Sequence, residues 1–151
     1  MFLHNLDDTD KTILDLLEKD GRITYAEIAR HTHLSRVAVR DRVKSLSDRG
    51  VISRFTVQVN AAAVGYNTLA FLHLSLAPGA HKQVAAKMSA CSNITQVLST
   101  TGATILHVQG FFRGVDHLNQ FVRDEVGTLP GVLSVETHLV LENHKMFQCI
   151  V

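Results

Sequence analysis

The sequence predicts an α+β protein: an N-terminal helix-turn-helix domain of winged-helix type, a hinge strand, and a C-terminal ferredoxin-like βαββαβ domain. Three observations carry that prediction. The run from Thr24 to Arg49 spells two capped amphipathic helices joined by a very short turn. From Val51 the apolar period drops to two, the signature of an extended strand. Beyond residue 67 a strand-helix-strand pattern occurs twice. The expected divisions are a helix-turn-helix domain over 1–50, a hinge strand and linker over 51–66, and a ferredoxin-like domain over 67–151.

The first helix is expected over residues 7–20, where Asp7, Asp8 and Asp10 oppose the positive end of the helix dipole and Leu6, Ile13, Leu14 and Leu17 form the inward face. Gly21 ends it. Thr24 followed by Glu27 is a capping box, so a second helix starts near Tyr25, with Tyr25, Ile28 and Ala29 facing inward. The pattern breaks at His31-Thr32-His33-Leu34, and Ser35 caps a third helix whose buried stripe is Val39, Val43 and Leu46. Gly50 closes it. Ser53, Phe55, Val57 and Val59 then alternate with Arg54, Thr56 and Gln58 as a wing or hinge strand.

In the second half, strands are expected over Thr68 to Leu76, Ile94 to Thr101, Thr104 to Phe112 and Val132 to Leu141. Helices are expected over His81 to Ala90, with Val84, Ala85 and Met88 inward, and over Val115 to Leu129, with Val115, Leu118, Phe121 and Val122 inward. Pro78-Gly79 and Pro130-Gly131 mark turns. Right-handed crossovers turn this order into an antiparallel sheet with both helices on one side. Apolar residues on both strand faces (Leu69 and Phe71 against Leu72 and Leu74; Leu133, Val135 and Leu139 against Val132 and Val140) call for a partner on the open face, and face-to-face dimerisation is the inference.

Charge is local rather than global. The net formal charge is +1, too small to coat nucleic acid. Residues 35–54, however, hold six Arg or Lys against two acids, while residues 7–20 hold six acids against two Lys. On the third helix Arg36, Val37, Arg40, Asp41 and Lys44 share an outward arc of about 140°. Arg side chains on the exposed start of a helix suit a major groove, where the guanidinium fork meets guanine O6 and N7. The DNA-binding set expected is Ser35, Arg36, Val37, Arg40, Asp41, Arg42 and Lys44. Arg36, Val37, Arg40 and Lys44 point toward bases; Arg42, Arg49 and Arg54 lie nearer phosphates or structural partners. The alternative is a basic face that is merely solvated.

Other classes are less well supported. No nucleophile–base pair, phosphate loop or HExxH motif occurs, so catalysis is not expected. Cys91 and Cys149 form no C-x-x-C pair, no secretory h-region opens the chain, and no apolar run reaches membrane length, which points to a reducing cytosol and no membrane. His31 and His33, and separately His73, His107 and His138, could be brought together, but neither set has closed zinc-site spacing. They read as interface histidines, with no metal and no cofactor expected and a metal-sensing regulator as an alternative.

The segments Leu6-Asp-Asp-Thr-Asp-Lys-Thr-Ile-Leu-Asp-Leu-Leu, Gly21-Arg-Ile-Thr-Tyr-Ala-Glu-Ile-Ala, Leu34-Ser35 with Val39, Arg42, Val43 and Leu46, Gly50-Val51-Ile52, Gly65-Tyr66 and Thr101-Gly102 resemble the Lrp/AsnC (leucine-responsive/asparagine-responsive) transcription regulators of bacteria and archaea. The resemblance implies a cytoplasmic, nucleoid-associated regulator of double-stranded DNA. It further implies homodimers that often assemble into octamers, and a small amino-acid effector held between dimers. Two positions depart from the family pattern. His33 stands in the helix turn where Gly is common, and His tolerates a left-handed backbone. The family's Gly-x-x-Asp reads Gly102-Ala103-Thr104-Ile105, so the acid that could hold an ammonium group is replaced by Ile105. Thr100, Thr101, Gly102 and Thr104 are the effector contacts that remain, and a ligand-independent DNA-wrapping protein is the other alternative.

Overall fold

The computed structural model describes residues 6–101 and 105–144, and within them residues up to Gln58 and residues from Val59 form two compact units. The first unit contains three helices, α1 (Asp8–Lys19), α2 (Tyr25–Thr32) and α3 (Arg36–Asp48). Each starts on a side-chain cap that satisfies an otherwise orphan backbone N–H. Asp7 accepts from the Asp10 N–H, Thr24 from the Glu27 N–H, and Ser35 from the Ala38 N–H. The capping box is complete, because the Glu27 carboxylate also accepts the Thr24 N–H at 3.1 Å.

These helices close on Ile13, Ile28, Ala29, Val39, Val43 and Leu46, with Leu6, Leu14, Leu17, Ile23 and Leu34 packed around them. The third-helix stripe is the expected one. Tyr25 is not inward: it is exposed, since the first residue of α2 sits at the end of the helix where its ring leans out past the cap. Residues 53–60 join no ladder among the described residues, although their alternation predicts a strand. A strand needs a neighbour for its backbone groups, and within this chain none is described there.

In the second unit a single helical turn (Ala62–Val64) precedes β1 (Thr68–Leu76), α4 (His81–Ser89), β2 (Ile94–Ser99), β3 (Ile105–Phe112), α5 (Val115–Phe121), a π-helical turn (Val122–Val126) and β4 (Val132–Leu139). The four strands order β2-β3-β1-β4, every ladder antiparallel. This is the expected ferredoxin-like sandwich. Its core is Ala70, Leu72, Leu74 and Leu76 of β1 and Leu106, Val108 and Phe112 of β3, under Val84, Met88, Leu118, Phe121 and Val126 of the helical layer.

Three expectations fail locally. The last helix stops being α-helical at Phe121: the Gly127 N–H reaches back to the Val122 carbonyl at 2.8 Å, which brings Val126 into the core. Val115 at its start is half exposed rather than inward. On β4, Val132 and Val135 both pack on the core although they differ in parity, because the register shifts between Ser75 and Leu76. That bulge turns Leu133 out. Among the described residues no helix is long and apolar enough to cross a membrane.

Candidate functional site

The exposed face of α3 owes its orientation to the stripe behind it. With Val39, Val43 and Leu46 buried, Arg36, Val37, Arg40, Asp41 and Lys44 are all exposed, and Ser35 at the cap is exposed too. Tyr25, Arg36, Val37 and Arg40 line one shallow concavity of about 320 Å³ at the start of α3. Sequence reasoning missed Tyr25 here; a polar aromatic directly after a helix cap was the available signal.

The turn that sets α2 against α3 depends on His33. Its backbone is left-handed (φ 55°), and the N–H groups of His33 and Leu34 both donate to the Ala29 carbonyl. Helix ends of this type are usually glycine, and histidine is among the residues that tolerate the conformation.

The cations of α3 divide into two groups. Among the described residues Arg40 reaches only the adjacent Asp41, its Nε and Nη2 donating to Oδ1 at 3.0 and 2.8 Å, with both side chains largely in water. Lys44 pairs with Asp48 along the exposed helix. Arg36 has no hydrogen bond or ion pair among the described residues. Arg42 is different: its Nη1 donates to Asp7 Oδ2 and Asp10 Oδ1, both at 2.7 Å. Asp10 is the one charged residue buried among those described, and Arg49 Nη1 stands 3.8 Å from its other oxygen.

Those hydrogen bonds hold the Arg42 guanidinium above its ordinary value. The Asp7 carboxyl is held below its own, first by the Asp10 N–H and then by Arg42. Part of the charge separation between the first helix and the basic stretch is thus neutralised inside the unit.

The second unit offers a different surface. Leu69, Phe71, His73 and Ser75 of β1 pair with Phe111, Gln109, His107 and Ile105 of β3 on the sheet face that carries no helix. Phe71 and Leu98 are exposed there. His73, His107 and His138 do come together: the His73 ring lies 4.3 Å from His107 and 4.8 Å from His138, centroid to centroid. Burial, then the neighbouring His107 and His138, holds the His73 imidazole below its ordinary value, with Glu136 opposing. His31 and His33 stay in the helix turn of the first unit.

Of the effector candidates, Thr100 and Thr101 are exposed just after β2, while Gly102 and Thr104 lie outside the described residues. Ile105 opens β3 opposite Ser75, an apolar side chain where an ammonium contact would need an oxygen.

Comparisons with known proteins agree with both units. Residues 6–47 match the AsnC-type helix-turn-helix domain, and residues 69–148 match the Lrp/AsnC ligand binding domain. The chain is 39% identical over 140 residues to the HTH-type transcriptional regulator FL11 of Pyrococcus furiosus, covering 93% of this chain and 92% of that one. The solved structure of E. coli AsnC is similar with a TM-score of 0.90 at 26% identity, covering 98% of this chain and 99% of its own. A transcriptional regulator of Neisseria meningitidis, solved in complex with L-Met, has a TM-score of 0.92 at 26% identity, with 97% of each chain covered.

Proposed function

The chain belongs to the Lrp/AsnC family of transcriptional regulators, and from that premise we propose that it reads an operator through the exposed start of α3, as a homodimer whose DNA affinity a small effector adjusts. Its action is regulatory rather than catalytic. The observation that carries the reading is the division of cations on α3: Arg36, Arg40 and Lys44 face solvent, whereas Arg42 is spent on the carboxylates of Asp7, which caps the first helix, and Asp10 within it. Arg36 and Arg40 are the base readers in this proposal, Val37 and Tyr25 supply an apolar flank suited to thymine methyl groups, and Lys44 meets phosphate. Ser35 acts as a cap, Asp41 releases Arg40 when a base replaces it, and Arg42 acts inside the fold.

Dimerisation through the open sheet face supplies the second recognition helix, which a palindromic site requires. Phe71 and Leu98 exposed on that face support it, since apolar side chains on one side of a sheet gain by being covered. Higher assemblies such as octamers are an extension of the same proposal. The L-Met bound by the meningococcal regulator supports an amino acid as the effector class here, with Thr100, Thr101, Gly102 and Thr104 as the polar contacts. A second reading, DNA organisation without a ligand, is favoured by Ile105, which removes the acid an ammonium group would use.

The test is a pair of titrations on the chain's own upstream DNA and on random DNA. Arg40→Ala is expected to weaken specific binding by about 1–3 kcal/mol while leaving random binding nearly unchanged. Equal loss on both would reassign Arg40 to phosphate, and no preference in the parent protein would end the operator proposal. For the effector, a thermal-shift screen of the amino acids with DNA present is expected to yield at least one stabilising ligand. Silence across all twenty selects the ligand-independent reading.

A further inference from the structure

On the helix-free face of the sheet, four side chains able to bind a metal stand close together. His107 on β3 pairs with His73 on β1, and His73 pairs in turn with Glu136 on β4. His138 follows Glu136 by two residues, so the pleat puts both on the same face. Two ligands at i and i+2 on one strand, with a third directly opposite on its neighbour, form a claw whose spacing the ladder fixes.

The distances suit an ion. His138 Nε2 and Glu136 Oε1 are 3.3 Å apart, and one ligand atom each from His73, Glu136 and His138 lies within 4.8 Å of the other two. Ligands on a tetrahedral ion with bonds of about 2.0–2.1 Å are separated by about 3.4 Å. One edge of the tetrahedron is therefore already at length, and the widest has to close by no more than about 1.4 Å, from 4.8 Å. Glu136 and His138 are exposed and free to make that movement, while His73 is half-buried and anchors it. An ordinary ion pair accounts for Glu136 and His138 but not for the third ligand atom beside them.

The geometry points to a site for a late first-row divalent cation of the Zn²⁺ class, held by His73, Glu136 and His138. Two imidazoles and one carboxylate form a borderline donor set that prefers such ions over Mg²⁺ or Ca²⁺, which take oxygen ligands. His107, edge-on to His73 at 71°, backs that ring from the far side, where a neighbour influences ligand orientation. Three protein ligands leave the fourth position open, directed away from the sheet. In the dimer proposed above that position meets the second copy; this consequence for assembly, and nothing else in the metal proposal, rests on that reading.

The test is calorimetric titration of the chelator-treated full chain with Zn²⁺, with Mg²⁺ as the control ion and no DNA present. One Zn²⁺ per chain is expected, with Mg²⁺ silent. His138→Gln, Glu136→Gln and His73→Gln should each weaken Zn²⁺ binding at least 10-fold, whereas His33→Asn should leave it unchanged. Far-UV circular dichroism of each variant reports whether the sheet has survived. Because Glu136 and His138 are exposed, their variants keep the test decisive even if His73→Gln unfolds. Co²⁺ in place of zinc should give the intense visible bands of a four-coordinate site, lost in His138→Gln. Absence of Zn²⁺ binding, binding indifferent to the Glu136 and His138 changes, or binding that moves only with His33 would overturn the proposal. Since no DNA is used, such a failure leaves the operator reading intact, and failure of Arg40→Ala to alter DNA binding leaves the zinc result intact.

Discussion

Replacing Arg42 by Met separates the two kinds of cation on α3. Met keeps most of the aliphatic stem and removes the guanidinium, so the change isolates the ion pairs. The Asp10 carboxylate, with a side chain only 8% exposed, then keeps Arg49 at 3.8 Å as its remaining cation. Breaking a fully buried pair costs about 3–5 kcal/mol. Here Arg42 is a third exposed to water and Arg49 partly compensates, so the expected loss is about 1.5–2.5 kcal/mol. The Asp7 contact is exposed and adds little. For a chain of this length that loss lowers the melting temperature by about 3–10 °C.

Urea denaturation of Arg42→Met, Asp10→Asn and the double variant forms a cycle whose coupling energy is expected at about 1–2 kcal/mol. Arg40→Met should change stability by no more than about 0.5 kcal/mol, because its partner among the described residues is the neighbouring exposed Asp41. Conversely, Arg42→Met measured well below its melting temperature should retain specific DNA affinity that Arg40→Met loses. If Arg42→Met melts like the parent and yet abolishes DNA binding, the division of labour argued for α3 is wrong.

Three further outcomes are expected. Gly131 has φ 88°, and a Cβ there would sit 2.3 Å from the Ala80 Cβ, so Gly131→Ala should destabilise by about 2–4 kcal/mol in chemical denaturation, with the Ala77 N–H to Gly131 carbonyl bond strained as well. The Glu27 carboxyl is held below the usual range, chiefly by the Thr24 hydroxyl and then by the Thr24 N–H, and Asp7 is lowered as described. Groups whose pKa is depressed by folding stabilise above the unfolded carboxyl value, near pH 4, and lose that contribution as pH falls through the folded value. Thermal melts should therefore show little dependence on these groups at neutral pH and a decline below about pH 4, made shallower by Glu27→Gln. Finally, Phe71→Glu puts a charge on the open sheet face and should shift sedimentation toward monomer while preserving the far-UV spectrum; an unchanged dimer would move the interface elsewhere.

What was legible in the sequence was local. Caps announce themselves within four residues, so Thr24 with Glu27 and Ser35 marked α2 and α3 to the residue. A stripe such as Val39, Val43 and Leu46 needs only the helical period. Strand parity was less secure, because a single bulge reverses it: the shift at Ser75 and Leu76 put Val132 and Val135 on one side, where strict alternation separates them. The π-turn had the same effect on the last helix, since reaching back five residues instead of four changes which side chains face the core.

The candidate sites depend on partners far away in sequence, and that is where reading by pattern runs out. Arg40 and Arg42 are two residues apart with the same chemistry, yet Arg42 meets Asp7 and Asp10 from another helix while Arg40 faces solvent. A helical wheel separates their directions but cannot show that carboxylates wait behind one of them. The histidines follow the same logic in the sheet. His73, His107 and His138 are scattered along the second half, and only the β1 register, opposing His73 to His107 on one side and to Glu136 on the other, assembles them. Glu136 had no signal of its own, because an acid on an exposed strand is commonplace until the ladder sets two imidazoles beside it. Register, fixed by the buried face of the sheet, thus determines what the open face can bind: a one-residue slip of β4 would turn Glu136 and His138 toward the core and dismantle the cluster, while the same slip would expose Val135. The apolar packing that holds Val135 against Leu74 therefore also holds the cluster in place.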